Sequence, residues 1–239
     1  MIALKHMAGS KMSILKVENI RKTFGKGSGM LTALDDINLF IDKGSFTSII
    51  GRSGSGKSTL LNIIGGLIAP DHGSIYLENT DLFQLTDKDL SKLRREKIGF
   101  VFQSFQLIPE FTVLENICLP SYLDKRRPNM EFIDKILEII EITDKKDKYP
   151  YELSGGEQQK TALVRALSMK PDILLADEPT GNLDVKSGEQ VLDAIHYCYR
   201  KFNQTTLLVT HNLEIAQQSK RVITLQDGRI VSDTIGEMI

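Results

Sequence analysis

Residues 51 to 59, Gly51-Arg52-Ser53-Gly54-Ser55-Gly56-Lys57-Ser58-Thr59, are built to do chemistry on phosphate. They fit G-x-x-x-x-G-K-[ST]. In that pattern the glycines let backbone N–H groups close around phosphate oxygens, Lys57 reaches the terminal phosphates, and the Ser58 hydroxyl meets Mg²⁺. With glycine at about 7% of residues, a chance match in such a chain has a probability of roughly 1%. A second candidate ends the apolar run "ILLADEP", residues 173 to 179. Asp177 falls at the carboxyl end of a strand, where open α/β sheets bind ligands, and can hold the hydration shell of Mg²⁺. Glu178 points the other way and can polarise an attacking water.

Two further strand ends carry polar groups: His211 follows "LLVT", and Gln103 ends "GFVFQ". A lone histidine is usually structural and a strand-end glutamine is often no more than that, so position alone assigns neither. Residues 153 to 160, "LSGGEQQK", place Ser154 at a helix N-cap with Gly155 and Gly156 behind it. Such a start presents bare backbone N–H groups and is an anion site in its own right. The chain thus carries two devices for one kind of ligand.

The elements that must hold these residues alternate in type. Residues 13 to 24 and 33 to 46 read as strands, the second ending in a Lys-Gly turn. The β-rich "FTSII" (46 to 50) runs into Gly51, and a helix through "STLLNIIGGL" follows, the order a phosphate loop requires. A charged helical stretch reaches about residue 97, and a strand covers 98 to 103. From about 104 to 168 the pattern is mainly helical, with Phe132, Ile133, Ile136, Leu137 and Ile140 on one helix face. Apolar strands at 172 to 177 and 205 to 211 read as buried parallel strands. Asp227-Gly228 between two β runs signals a hairpin. Strands alternating with helices predict an α/β fold with a mostly parallel sheet.

Composition narrows the function classes. Thirty basic and 31 acidic residues give a net charge of −1 and no footprint for a polyanion, so no nucleic-acid partner is expected. The clusters at 92 to 97 and 124 to 128 read as solvated surface. Cys118 and Cys198 are far apart, which argues against a metal or disulfide framework. No apolar run reaches the roughly eighteen residues that span a bilayer. The longest, residues 60 to 70, is interrupted by Asn62 and two glycines. The first eleven residues lack periodicity, and Met12 reads as a natural start after a leader.

Taken together, "GRSGSGKST", Gln103, "LSGGEQQ", "LLADEP", "GNLD" (181 to 184) and His211 resemble, in that order, the ATP-binding subunits of ABC transporters. The resemblance runs from Met12 to the C-terminus. It implies a P-loop NTPase core with an N-terminal antiparallel β part: one domain over 12–239, with 12–103 and 169–239 as the α/β core and about 104–168 as an inserted α-helical subdomain. It further implies head-to-tail dimers in which each ATP lies between one chain's phosphate loop and the other chain's signature helix. Ser154, Gly155 and Gly156 would then meet the partner's γ-phosphate, and the Asp184 loop would link the two sites. By the same resemblance Phe24 stacks on adenine, residues 51 to 59 hold phosphates, and Ser58, Gln103 and Asp177 serve Mg²⁺. Glu178 is the general base and His211 senses the γ-phosphate. Lys160 stands where arginine is common and Asn212 where aspartate is usual.

"DEPTGNLD", residues 100 to 120 and the charged helix before them resemble a subgroup: MacB-type exporters, LolD-type lipoprotein-releasing complexes and antimicrobial-peptide resistance transporters. This implies a motor bound to a separate integral membrane permease at the cytoplasmic face of the cell membrane, driving export or extrusion. An FtsE-like signalling ATPase without cargo and an importer ATPase are the alternatives. The soluble ABC ATPases of translation or repair usually carry two cassettes, a long coiled coil or zinc modules, and none of these is visible.

Overall fold

The computed structural model describes residues 13–236. The expectation of a leader in residues 1–11 lies outside them, as does the start at Met12. Along the chain the elements are β1 (Ser13–Phe24), β2 (Leu31–Asp42), β3 (Phe46–Ile50), α1 (Lys57–Ile64), β4 (His72–Leu77), β5 (Thr80–Asp81) and α2 (Asp87–Lys97). Next come β6 (Ile98–Val101), α3 (Val113–Leu123), α4 (Met130–Ile139), α5 (Gly155–Leu167), β7 (Ile173–Asp177) and α6 (Val185–Phe202). The last are β8 (Thr205–Val209), α7 (Leu213–Gln217), β9 (Arg221–Gln226) and β10 (Arg229–Ile235). Two compact units emerge: the described residues up to Ser91 together with Leu207 onward, and Lys92–Thr206. The divisions fall within α2 and β8.

In the first unit β2, β1, β4 and β5 form an antiparallel sheet, the N-terminal β part expected from the sequence. Alternation sets its register: Leu15 and Val17 pair with Leu77 and Ile75, and all four are buried. β3 pairs in parallel with β9, and β9 in antiparallel with β10. β3 and β8 are apolar and β-branched almost throughout and are buried along their lengths, as parallel strands covered on both faces must be. The β9–β10 turn has Asp227 at φ 48° and Gly228 at φ 74°, the two left-handed residues of a type I′ hairpin turn.

The second unit holds a parallel pair, β6 and β7, and helices α3 to α6. Gly99 lets the α5 end approach β6: a Cβ there would stand 2.6 Å from the Ala166 carbonyl. On α4 the predicted apolar face is real. Ile133, Ile136, Leu137 and the capping Ile140 are buried, while Phe132 is half-buried, edge-on to Phe202 and beneath the Lys170 ammonium. The glutamine strand is shorter than its pattern. β6 stops at Val101, so Gln103 lies two residues beyond it in a loop that runs to the Thr112 cap of α3. Among the described residues no helix is long and apolar enough to cross a membrane.

Candidate functional site

In the first unit β3 delivers the chain into the glycine loop, and the loop into α1. Gly54 and Gly56 take φ 78° and 100°, open only to glycine without strain. Gly56 is the N-cap of α1 and makes no side-chain cap; a Cβ on it would lie 2.4 Å from the Ala33 carbonyl of β2. The N–H groups of the first helical turn have no partner within the helix. Lys57 is buried, and its Nζ donates to the Gly51 and Arg52 carbonyls at 2.9 and 3.0 Å. The ammonium is thereby held inside the loop's curve.

The Ser55 hydroxyl is buried there with no hydrogen-bond partner among the described residues. An orphaned donor beside bare N–H groups and an ammonium suits an anion, and the set fits the phosphates of a nucleotide. Ser58, Arg52, Ser53 and Gly54 are exposed, and Thr59 is half-buried at the start of α1. The β9–β10 turn braces the loop from behind, with Gly228 N–H donating to the Ser55 carbonyl at 3.1 Å.

Phe24 ends β1 with its ring exposed, as a base-stacking aromatic must be, and the Lys22 ammonium lies 5.6 Å from the ring centroid. Asp71 fixes this strand end, accepting from Lys22 Nζ (2.9 Å), Thr23 N–H (2.6 Å) and the Thr23 hydroxyl (2.7 Å). Those bonds, led by the one from Lys22, hold the Asp71 carboxyl down at about 2. His211 is exposed, two residues past β8. Its neighbour Thr210 donates its N–H to the Ile49 carbonyl of β3, two residues before Gly51. The histidine therefore flanks the strand that feeds the phosphate loop.

In the second unit β7 ends at Asp177 as predicted, and Glu178 follows in the left-handed region at φ 45°. A glutamate held there is strained, and such strain gathers at functional positions. Gln103 and Asn182 bond reciprocally: Asn182 Nδ2 donates to the Gln103 carbonyl at 3.1 Å, and Gln103 Nε2 donates to Asn182 Oδ1 at 3.4 Å. Gly181 lies against both Gln103 and Glu178. A Cβ on it would stand 2.9 Å from Gln103 Nε2 and 3.4 Å from Glu178 Oε2.

Ser154 is the N-cap of α5, as its position in the sequence predicts. It accepts from Glu157 N–H, while the Glu157 carboxylate accepts from the Ser154 N–H and hydroxyl, both at 2.8 Å. This capping box leaves the N–H groups of Gly155 and Gly156 without intrahelical partners. Both glycines pack tightly: Cβ atoms there would meet Leu183 at 3.3 Å and Phe105 at 3.6 Å, and Ser187 at 2.9 Å. Asp184 caps α6 through the Ser187 N–H and hydroxyl at 3.0 and 2.6 Å, and the hydroxyl bond leads in lowering its carboxyl. The structure thus brings Gln103, Glu178, the Gly181–Asp184 loop and the α5 N-terminus together within one unit.

Other residues here escape sequence reasoning. Arg165, half-buried on α5, donates to the Phe105 and Gln106 carbonyls at 3.0 and 2.6 Å. Gln159 donates to the Phe102 carbonyl at 3.1 Å. The buried Asn116 amide satisfies Ile108, Phe111 and Thr112. These three side chains pin the loop after β6 along most of its length. The charge amid "TALVRALSM" was the visible signal, since a charge on an apolar face must find partners. The pinned loop borders a groove of about 560 Å³ lined by Ser104, Phe105, Leu107, Tyr151, Gln158 and Asn182, among others.

A family profile described as "ABC transporter" matches residues 34–181. The chain is 42% identical over 223 residues to an uncharacterised ABC transporter ATP-binding protein, MJ0796, of Methanocaldococcus jannaschii, covering 91% of this chain and 95% of that one. It is 41% identical over 227 residues to the lipoprotein-releasing system ATP-binding protein LolD of Geobacter metallireducens, covering 92% and 99%. It is 40% identical over 225 residues to the macrolide export ATP-binding/permease protein MacB of Aggregatibacter actinomycetemcomitans, covering 93% of this chain but 35% of that longer protein. Among solved structures, the dimeric post-hydrolysis state of the MJ0796 cassette bound to ADP and Pi superposes with a TM-score of 0.86 at 40% identity, covering 94% and 100%. A phosphate loop, a strand-end Asp-Glu pair and a capped glycine helix start thus occur in a chain that matches these cassettes over nearly its whole length: it belongs to the ABC transporter family, as an ATP-binding and ATP-hydrolysing cassette.

Proposed function

We propose that this cassette works as a head-to-tail homodimer that closes around two ATP molecules and drives a separate membrane permease from the cytoplasmic face, in export or extrusion of the LolD or MacB kind. The observation that carries the reading is the second anion-binding helix start. The N–H groups of Gly155 and Gly156 lack intrahelical partners on a helix capped by its own Ser154–Glu157 box. A second copy's nucleotide gives them an anion. ATP then holds the dimer together, and loss of its terminal phosphate removes the ligand that favours closure. Dimeric assembly of the similar MJ0796 cassette supports this. The LolD and MacB likenesses support a permease partner, and the groove beside Phe105 and Tyr151 is where the permease would dock.

Phe24 stacks on adenine, and residues 51 to 59 surround the phosphates. Glu178 takes a proton from the attacking water, and His211 meets the γ-phosphate. Asp184 keeps the start of α6 fixed between the two sites. Ser58, Gln103 and Asp177 offer hydroxyl, amide and carboxylate oxygens, the hard donors that Mg²⁺ prefers. When bound, the ion would neutralise phosphate charge as the terminal bond breaks.

Replacement of Glu178 by Gln tests the mechanism. ATP turnover should fall by roughly 10²- to 10⁴-fold, the usual worth of a general base, while ATP-bound dimers accumulate in gel filtration. Steady hydrolysis by that variant sinks the assignment. Purifying the tagged chain from detergent-solubilised membranes tests the partner. A co-purifying permease with a large extracytoplasmic domain supports the reading. A division-type partner, a substrate-binding-protein importer or nucleic acid overturns it.

A further inference from the structure

We propose that Asn182 is a positioning residue that decides which end of the Gln103 amide is presented to the nucleotide-bound metal ion. The inference rests on the reading of Gln103 as an oxygen donor to that ion. Asn182 Nδ2 donates to the Gln103 main-chain carbonyl at 3.1 Å. A carbonyl can only accept, so this bond fixes which way the Asn182 amide is turned. Its Oδ1 then faces the Gln103 side chain, 3.4 Å from Nε2. Two amide oxygens would repel at that point, so Gln103 turns its NH₂ toward Asn182 and leaves Oε1 as the end available to a ligand. Divalent metal ions take the oxygen and not the NH₂.

The orientation is therefore the functional one, and it is set from the Gly181–Asp184 loop. Gly181 makes the approach possible, since any side chain there would meet Gln103 Nε2 and Glu178 Oε2. The loop that bears Asn182 also reaches the α5 N-terminus through Leu183 and caps α6 through Asp184. A shift of this loop would change how Gln103 faces its ion. Both partners are exposed and the side-chain bond is long against the usual 2.9–3.0 Å, so the effect is one of orientation and of modest size.

The test uses the full chain, the non-hydrolysable nucleotide AMP-PNP, and Mn²⁺ in place of Mg²⁺. The readout is the factor by which Mn²⁺ tightens AMP-PNP binding. Asn182→Ala should reduce that factor about threefold to tenfold, leave metal-free AMP-PNP affinity unchanged, and add nothing in a Gln103→Ala background. If Gln103→Ala itself leaves the factor unchanged, the reading of Gln103 and this inference fall together. If Gln103→Ala reduces it but Asn182→Ala does not, or the two changes add in full, only the role of Asn182 is overturned. Equal weakening with and without Mn²⁺ also overturns it, because a purely structural residue behaves that way.

Discussion

The two helix starts at α1 and α5, each with glycines and bare N–H groups, are built in opposite ways. At α1 no side chain caps the helix. The N-cap is a glycine, the loop before it needs left-handed glycines, and a buried lysine is held by the loop's own carbonyls. Its donors are completed by ligand. At α5 a serine and a glutamate close a capping box, and Lys145 lies 3.3 Å from that glutamate. Ser154 N–H and hydroxyl, with Lys145, outweigh the burial of Glu157 and hold its carboxyl below the ordinary value. The capping box leaves the Gly155 and Gly156 N–H groups without intrahelical partners. One helix start is held by backbone geometry and a buried lysine; the other is held by side-chain caps of its own.

Paired glycine substitutions should break this comparison most sharply. Gly56→Ala puts a Cβ 2.4 Å from a backbone carbonyl at a φ of 100°, with strain of about 1–3 kcal/mol before the clash. Nucleotide binding measured by fluorescence titration should be lost. Gly155→Ala meets only the ends of Leu183 and Phe105. It should leave nucleotide binding by the monomer intact while hydrolysis and ATP-dependent dimerisation fall by roughly 10-fold or more, one tenfold step being about 1.4 kcal/mol. If both substitutions weaken binding by the monomer alike, the division of labour is wrong.

Arg165→Ala comes next. Two loop carbonyls lose their donor, at about 1–3 kcal/mol. For a chain of this size that lowers Tm by roughly 2–12 °C in calorimetry, at about 2–4 °C per kcal/mol. Affinity at the phosphate loop should hardly move. Ser154→Ala removes one cap, at about 1 kcal/mol. It should cost a smaller drop in Tm and act on hydrolysis rather than on monomer binding.

The smallest effect belongs to Asp71, which ties down the end of β1 near Phe24. Its carboxyl is lowered to about 2 from an ordinary 3.8. Its contribution to stability is therefore complete above about pH 4 and disappears as the pH falls through 2. Asp71→Asn should lower stability modestly at pH 7, change it little below about pH 2, and so flatten the acid limb of an unfolding profile between them. An unchanged acid limb would show that these bonds add nothing to stability.

Much of this was legible because the informative patterns are local. A phosphate loop is a run of nine residues whose glycines are dictated by backbone geometry. β7 is apolar because it is buried on both faces. The Asp227-Gly228 turn announces itself because few residue pairs tolerate two positive φ values. Even the Ser154 N-cap needs only its own helix. The strand before Gln103 ends two residues short of its pattern, since Phe102 and Gln103 continue the β alternation while the chain has already left the ladder.

What the sequence could not give is the set of contacts made at long range. The Asn182 amide is 79 residues from Gln103, Arg165 is about 60 from the carbonyls it holds, and Gly228 is 173 from Ser55. Composition and periodicity identify a buried charge or an exposed amide but not its partner, because the partner is fixed only when strands and helices pack. Residue type and spacing determined the kind of chemistry, phosphate binding and hydrolysis. Tertiary structure alone decided that the glutamine loop, the Gly181–Asp184 loop and the α5 N-terminus form one mechanical unit, because side chains from three elements must be packed before their hydrogen bonds can form.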